Sequence, residues 1–158
     1  SQMNRDIEKL RAIADYQFGY GTGASLFPDE TEVEYSKKTG RPRHVFVGDT
    51  LLANYRPNDA LFTVTIAGAE RIIEGVEGFD QYVVVVDDVL EFLEQGKNLF
   101  SRHVKEAGDG VKPGQETIIL DTDGKVAAVG KAILTKDEMS KFKTGVAVKT
   151  RRGRKRHR

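Results

Sequence analysis

Two adjacent carboxylates are the first candidates for acid–base chemistry in this chain of 158 residues. Asp87 and Asp88 follow the β-branched run 83–86, and many α/β enzymes place catalytic acids directly after a buried strand. The chain has no cysteine, and no nearby histidine or lysine completes a nucleophile–base pair with them. Asp88 could instead cap the helix that follows, where a carboxylate accepts hydrogen bonds from free backbone N–H groups. We favour capping, and we predict no catalytic residue.

Candidates for cofactor or metal binding are equally incomplete. Gly19, Gly21 and Gly23 lack the spacing of a dinucleotide loop, no Gly-Lys-Ser/Thr follows, and a helix precedes them instead of a buried strand. The histidines are His44, His103 and His157. None of the three has a partner at metal-ligand spacing. The DTDG segment at 121–124 begins like a calcium loop but lacks the closing acid, so we expect a hairpin turn there. The sequence therefore predicts no cofactor and no metal.

Basic residues are concentrated at the C-terminal end of the chain. Its last eight residues, RRGRKRHR, contain six Lys or Arg and no acid, whereas residues 1–150 carry a formal charge of −5. Because a block of like charge repels itself, we expect residues 151–158 to form a disordered tail. The tail could serve only to keep the protein in solution. We favour contact with nucleic acid, because arginine grips phosphate oxygens in bidentate fashion.

A second basic segment lies at residues 96–103, where a glycine precedes basic and apolar residues. A glycine beside a cation lets a phosphate backbone approach closely. Leu99 and Phe100 in this segment could be core residues, and we expect this for Phe100. The predicted RNA-contacting residues are Gly96, Lys97, Asn98, Arg102, His103, Lys149, Arg151, Arg152, Arg154, Lys155 and Arg156.

Hydrophobic periodicity divides the chain into two parts and predicts the α+β fold class. The first part is expected to contain helices at 4–14 and 69–73, strands at 32–35, 45–47, 51–55 and 61–66, and a basic turn at 37–43. The second part is expected to contain strands at 83–86, 117–120, 126–132 and 146–149, and helices after Asp88, at 97–100 and after a capping box at Thr135. The predicted domains are a small mixed N-terminal domain at 1–77, a β-rich domain at 78–150 and the tail at 151–158.

Several short motifs in the second part occur in a characteristic order. They are VVVDD at 84–88, GKNLF at 96–100, VKPG at 111–114, DG at 123–124 and AVGKA at 128–132. In this order they resemble a PUA domain, a small β-barrel-like domain that binds structured RNA, often the stem end of a tRNA or a guide RNA. The resemblance implies that RNA lies across residues 96–103 and 148–152.

Further motifs extend the resemblance to about residues 10–152. They are DYQFG at 15–19, RPRHV at 41–45, RPND at 56–59, LFTVT at 61–65 and FKTGVAVK at 142–149. Together they are similar to the C-terminal region of archaeal tRNA-guanine (archaeosine) transglycosylases. That family carries its catalytic aspartates on a large barrel that precedes this region, and 158 residues leave no room for it. The resemblance therefore implies a non-catalytic archaeal RNA-binding protein, with tRNA or another structured RNA as its partner.

An accessory role in tRNA modification is the alternative function. The chain would then be the tRNA-binding subunit of a split transglycosylase or of another RNA-modification enzyme. Its N-terminal domain would need an exposed apolar patch for the catalytic chain, for which the candidates are Phe18, Tyr20, Leu26 and Phe27. No apolar run approaches the roughly 20 residues that cross a bilayer, and none resembles a signal peptide, so we expect a cytoplasmic protein with no membrane partner.

Overall fold

The computed structural model describes residues 1–155, which divide into two units at residues 77 and 78. The N-terminal unit contains helices α1 (Gln2–Phe18), α2 (Thr22–Leu26) and α3 (Ile66–Gly75), and strands β1 (Glu32–Tyr35), β2 (Pro42–Val47), β3 (Thr50–Arg56) and β4 (Leu61–Val64). The four strands form an antiparallel sheet in the order β1-β2-β3-β4. No helix in residues 1–155 is long and apolar enough to cross a membrane.

Helix α1 packs through one apolar face. Its buried residues Ile7, Leu10, Ala14 and Phe18 recur every three or four positions, as expected of an amphipathic helix against a core. Helix α3 begins at Ile66, three residues before the predicted start. Thr65 explains this difference, since its hydroxyl oxygen accepts a hydrogen bond from the Gly68 N–H at 3.1 Å and so caps the helix.

The predicted apolar patch of the N-terminal unit is wrong for three of its four residues. Phe18, Leu26 and Phe27 are at most 2% exposed, and only Tyr20 faces solvent. Gly21 has a φ of +94° and starts α2 in a left-handed conformation, which turns the chain back after α1. With the chain turned back in this way, Phe18, Leu26 and Phe27 lie in the core and not on the surface.

The C-terminal unit contains helices α4 (Leu90–Glu94) and α5 (Lys136–Lys141) and six strands. The strands are β5 (Tyr82–Val85), β6 (Leu99–Phe100), β7 (Val104–Ala107), β8 (Glu116–Leu120), β9 (Val126–Ala132) and β10 (Val146–Gly153). Their order is β6-β10-β9-β8-β5-β7, and only β5 and β8 pair in parallel. The sheet forms a near-closed barrel around a core that includes Val83, Ile119 and Val148. The α+β class and the barrel-like second part are confirmed.

Local predictions in the C-terminal unit have mixed outcomes. Thr135 and Glu138 form the predicted capping box at α5, and residues 121–124 form the predicted hairpin turn between β8 and β9. Asp88 does not cap, because no side chain bonds the N-terminus of α4 or of the 3₁₀ turn before it. The predicted helical turn at 97–100 is wrong, since Leu99 and Phe100 pair with β10 as β6.

The prediction of a disordered tail from residue 151 is also wrong for its first part. Strand β10 continues through Gly153, and the Arg154 N–H donates to the Ala127 carbonyl at 2.9 Å. The charge does not disorder this segment, because two of its arginines are neutralised by buried carboxylates. Arg156, which the sequence also predicts to contact RNA, lies outside the described residues.

Candidate nucleic-acid interface

An apolar cleft of about 460 Å³ lies beside α4 in the C-terminal unit. Val89, Leu93 and Leu99 are buried along it, whereas the Phe92 and Phe100 side chains are 55% and 40% exposed. Its volume falls in the range of roughly 300–1,000 Å³ that small-ligand pockets occupy. Because Phe100 is 40% exposed, it is not the core residue that the sequence predicts. The cleft offers two aromatic surfaces to a planar, partly apolar group.

Cationic groups surround this cleft. Lys97, Arg102 and His103 all line it, and the Arg102 guanidinium carbon lies 5.5 Å from the centroid of the Phe100 ring. Asp88 is the one acidic residue in the lining. The cleft lining thus contains four of the predicted RNA-contacting residues, namely Lys97, Asn98, Arg102 and His103. Aromatic surfaces next to cations are the combination that holds unpaired bases and their phosphates.

The loop between α4 and β6 is fixed by its own hydrogen bonds. Gly96 has a φ of +82°, and the N–H groups of Gly96 and Lys97 donate to the carbonyls of Leu93 and Phe92 at 2.9 and 3.0 Å. This pattern is a Schellman motif, which favours glycine. Asn98 Oδ1 accepts from the Thr150 N–H at 3.1 Å and ties the loop to β10. Gly96 and Asn98 therefore have structural roles that hold Lys97 at the surface.

The last strand presents further cations. Lys149 is exposed, and its register partner in β9 is the exposed Lys131. Two like charges opposite each other destabilise a sheet. On its other side Lys131 is opposite Glu116 of β8. Arg152 and Lys155 are exposed and line a groove of about 510 Å³ together with Gly96. Lys131 is absent from the sequence-based set, although it is the one charged residue in the sequence of β9 and the one exposed residue of that strand.

Close backbone packing brings the end of β10 onto α4. A Cβ atom added at Gly153 would lie 2.0 Å from the Leu93 carbonyl oxygen, so only glycine fits at this position. This contact places the C-terminal residues next to the cleft helix. The groove beyond it also contains the carboxyl groups of Glu91 and Glu94.

Arg151 and Arg154 bind carboxylates inside the unit. A bulge in β10 between Thr150 and Arg152 accommodates Arg151. The Arg151 guanidinium donates two hydrogen bonds to the Glu116 carboxylate, of which that from Nη1 to Oε1 measures 2.8 Å. The Arg154 guanidinium donates from Nε to Glu94 Oε2 at 3.0 Å and from Nη1 to Asp121 Oδ2 at 2.7 Å. These two predicted RNA contacts are engaged within the fold.

The environment of Asp121 favours its charged form. Burial alone would raise the pKa of this carboxyl group, but hydrogen bonds from Arg154 and from the backbone N–H groups of Lys125 and Asp123 outweigh it. The pKa of Asp121 therefore lies below its ordinary value. Burial alone would lower the pKa of Arg154, but its hydrogen bonds to Asp121 and Glu94 and their charges raise it, so the pair stays ionised at neutral pH.

The remaining candidate groups do not form a centre for chemistry. Asp87 Oδ1 accepts a hydrogen bond from Thr122 Oγ1 at 3.0 Å, in an exposed position. Within residues 1–155 no three His, Asp or Glu side chains are grouped so that they could hold a metal ion. The glycines at 19 and 21 lie in the turn between α1 and α2, and Gly23 packs against the backbone of Arg11. The surface cations and the aromatic cleft are the site that the structure offers.

Two domain families match successive parts of the chain. Residues 8–78 match the patch-forming domain C2 of tRNA-guanine transglycosylase, and residues 81–154 match the PUA domain. The tRNA-guanine(15) transglycosylase of Methanobrevibacter smithii is 39% identical over 150 residues, which cover 95% of this chain and 23% of that protein. That of Methanothermobacter thermautotrophicus is 35% identical over 148 residues, which cover 94% and 23%. The chain spans about a quarter of the length of the curated relatives it matches.

Solved structures show the same fold at low sequence identity. A hypothetical protein of Pyrococcus horikoshii superposes with a TM-score of 0.73 at 18% identity, covering 94% of this chain and 90% of that one. A PUA domain of Aeropyrum pernix superposes with a TM-score of 0.66 at 14% identity, covering 92% and 80%. Successive parts of the chain thus match the C2 and PUA domains, and the chain resembles the C-terminal region of archaeal tRNA-guanine transglycosylases.

Proposed function

We propose that this protein binds RNA through the α4 cleft and its surrounding cations, and that it carries no catalytic site of its own. The observation that carries the proposal is the combination of exposed Phe92 and Phe100 with Lys97, Arg102 and His103 around one cleft. The PUA match supports RNA as the ligand, and the names of the relatives favour tRNA.

In this account an unpaired base enters the cleft and stacks on Phe92 or Phe100. Stacking of a base on an aromatic side chain contributes about 1–3 kcal/mol and tolerates any base, because every base has a flat face. Lys97 and Arg102 then contact the phosphates on either side. Further phosphate contacts along the last strands come from Lys131, Lys149, Arg152 and Lys155.

The acidic residues of this unit favour binding over catalysis. Glu116 and Asp121 are buried and engaged by arginines. Within residues 1–155, Asp88 forms no hydrogen bond or ion pair with Lys97 or His103, which line the same cleft. A catalytic acid needs a partner group within hydrogen-bond reach of the reacting atoms. The part of the transglycosylases that aligns with this chain is their C-terminal region, which is consistent with a role in holding RNA.

Salt dependence tests the proposal. Fluorescence anisotropy would follow the binding of the chain to bulk tRNA and to a DNA duplex of similar charge at two salt concentrations. We expect preference for tRNA, and an affinity that falls steeply with salt because neutralised phosphates release counterions. An affinity that is unchanged between low and moderate salt, or equal for the two nucleic acids, would contradict the proposal.

An accessory role in a modification enzyme is the second candidate, and one observation favours it. Tyr16 and Tyr20, four residues apart at the C-terminal end of α1, are 86% and 94% exposed. Tyrosine is enriched where one protein surface meets another. The test is the affinity of this chain for the M. smithii transglycosylase lacking its matching region, measured by calorimetry. Association that Tyr16→Ser and Tyr20→Ser together abolish would support this role, and no association would count against it.

A further inference from the structure

The hairpin between β1 and β2 carries a second charged surface, far from the cleft in sequence. Residues 36–43, which we name the basic hairpin, read SKKTGRPR and contain four cations and no acid. Its cations are Lys37, Lys38, Arg41 and Arg43, and all four are exposed. The sequence analysis identified this segment only as a basic turn.

The turn is rigid, and its backbone is satisfied internally. The Ser36 N–H donates to the Arg41 carbonyl and the Gly40 N–H to the Ser36 carbonyl, both at 2.8 Å. The hydroxyl oxygens of Ser36 and Thr39 accept from the N–H groups of Thr39 and Arg41, each at 3.3 Å. Gly40 adopts a φ of +72° to close the turn. Because these backbone groups are already bonded, an anion at this hairpin would be held by the side chains.

These cations differ from four of the arginines that the structure describes. Arg11, Arg56, Arg151 and Arg154 each form an ion pair with an Asp or Glu. Within residues 1–155 the four side chains of the basic hairpin have neither an ion pair nor a hydrogen bond. The acidic residue nearest to them in sequence is Glu34, whose Oε1 lies 4.0 Å from the Nε2 of His44. Four uncompensated positive charges in eight residues repel one another and weaken the turn unless an external anion binds.

We propose that the basic hairpin is a second RNA-binding surface, which contacts the phosphate backbone through Lys37, Lys38, Arg41 and Arg43. The segment has no aromatic or aliphatic side chain apart from Pro42, so it offers a protein partner no apolar anchor. It also has no side-chain geometry that reads bases, so the contact is independent of sequence. This inference rests on the proposed function, because it assigns a second contact on the same RNA ligand.

The test compares two full-length variants with equal changes in charge. The hairpin variant carries Lys37→Gln, Lys38→Gln, Arg41→Gln and Arg43→Gln. The control variant carries Lys9→Gln, Lys105→Gln, Lys112→Gln and Lys125→Gln, which remove four other exposed lysines. Both sets leave the cleft unchanged. Circular dichroism checks that both variants stay folded, and anisotropy measures their binding to bulk tRNA over a series of salt concentrations.

We expect the hairpin variant to bind tRNA at least about tenfold more weakly near 0.1 M salt, with a log–log salt slope shallower by roughly 2–3. The control variant should keep most of the affinity and the slope. Equal binding by the hairpin variant and the wild type would overturn the hairpin contact, as would equal losses in both variants, which would indicate net charge alone. A wild-type protein that does not bind tRNA would instead overturn the proposed function.

Discussion

Arg154 donates a hydrogen bond to the buried carboxylate of Asp121 at 2.7 Å, which joins the end of β10 to the turn between β8 and β9. The same guanidinium bonds Glu94 at the end of α4. One arginine thus connects three segments of the C-terminal unit, including the helix that forms one side of the cleft. Its position among basic residues in the sequence suggests a ligand contact, but its contacts are those of a structural residue.

Replacement of Arg154 should destabilise the C-terminal unit strongly. The Asp121 and Glu94 side chains are 8% and 13% exposed, and replacement of Arg154 takes the guanidinium charge away from two largely buried carboxylates. We expect Arg154→Gln to lower the free energy of unfolding by about 3 kcal/mol. Arg152→Gln, at an exposed position two residues earlier, should change it by less than about 0.5 kcal/mol. Urea unfolding measures both, and equal effects would contradict the structural role of Arg154.

The stability of this unit should decrease in acid because of Asp121. Its pKa in the folded protein lies below the ordinary value of 3.8, so the unfolded chain takes up a proton first as the pH falls. The contribution of Asp121 is therefore complete above about pH 4 and is lost as the pH falls through the folded pKa. Asp121→Asn should unfold with a weaker dependence on pH below 4 than the wild type. Identical pH profiles would show that Asp121 is not held ionised.

Tyr35 should titrate well above the ordinary pKa of a tyrosine. Burial, together with the hydrogen bond that its hydroxyl donates to Asp6 Oδ2 at 2.7 Å and the charge of Asp6, raises its pKa to about 12. Because the folded pKa exceeds the ordinary value of 10.0, the stability that Tyr35 contributes is complete below pH 10 and is lost as the pH rises toward 12.

Ultraviolet absorbance of the phenolate measures this titration. The difference between the wild type and Tyr35→Phe should isolate one tyrosine with a midpoint near 12. A midpoint close to 10 would mean that the Tyr35–Asp6 contact does not form in solution. Tyr16→Phe is the matched control, since Tyr16 is exposed and its removal should leave the component with a midpoint near 12 in place.

Gly96 should be required for its backbone conformation. Its φ of +82° is unfavourable for residues with a Cβ atom, but asparagine tolerates this region better than alanine does. Gly96→Ala should cost about 1 kcal/mol of stability, and Gly96→Asn less. Thermal unfolding ranks the two variants. If alanine and asparagine behaved alike, the Schellman motif would not explain the glycine.

The sequence predicted the parts of the fold that depend on local pattern. Hydrophobic periodicity accounts for the buried face of α1 and for the β2–β3 hairpin. Side chains that bond nearby backbone groups account for the turn at 121–124 and for the Thr135 capping box. Strand β6 was missed because its two residues are stable only through pairing with Val146 and Val148, which are more than forty positions away. Local propensity carries no information about such a partner.

The sequence identified some of the residues that line the candidate site and missed others. Lys97, Arg102 and His103 meet at one cleft, but Phe92 was not anticipated there, because a phenylalanine on a short helix is usually a core residue. Arg151 and Arg154 seemed free for phosphate, since their partners Glu116 and Asp121 lie more than thirty residues away in sequence. Only the folded sheet places those charges together.

Binding of tRNA by a cleft variant tests the central claim most directly. The variant carries Phe92→Ser and Phe100→Ser, and the matched control is Phe142→Ser, which removes an aromatic ring that is 48% exposed and lies outside the cleft lining. Loss of one stacked base predicts binding that is weaker by about 1–3 kcal/mol, or roughly 5- to 150-fold, with an unchanged salt slope. Phe142→Ser should bind as the wild type does. Equal affinity of the cleft variant and the wild type would contradict recognition of RNA at this cleft.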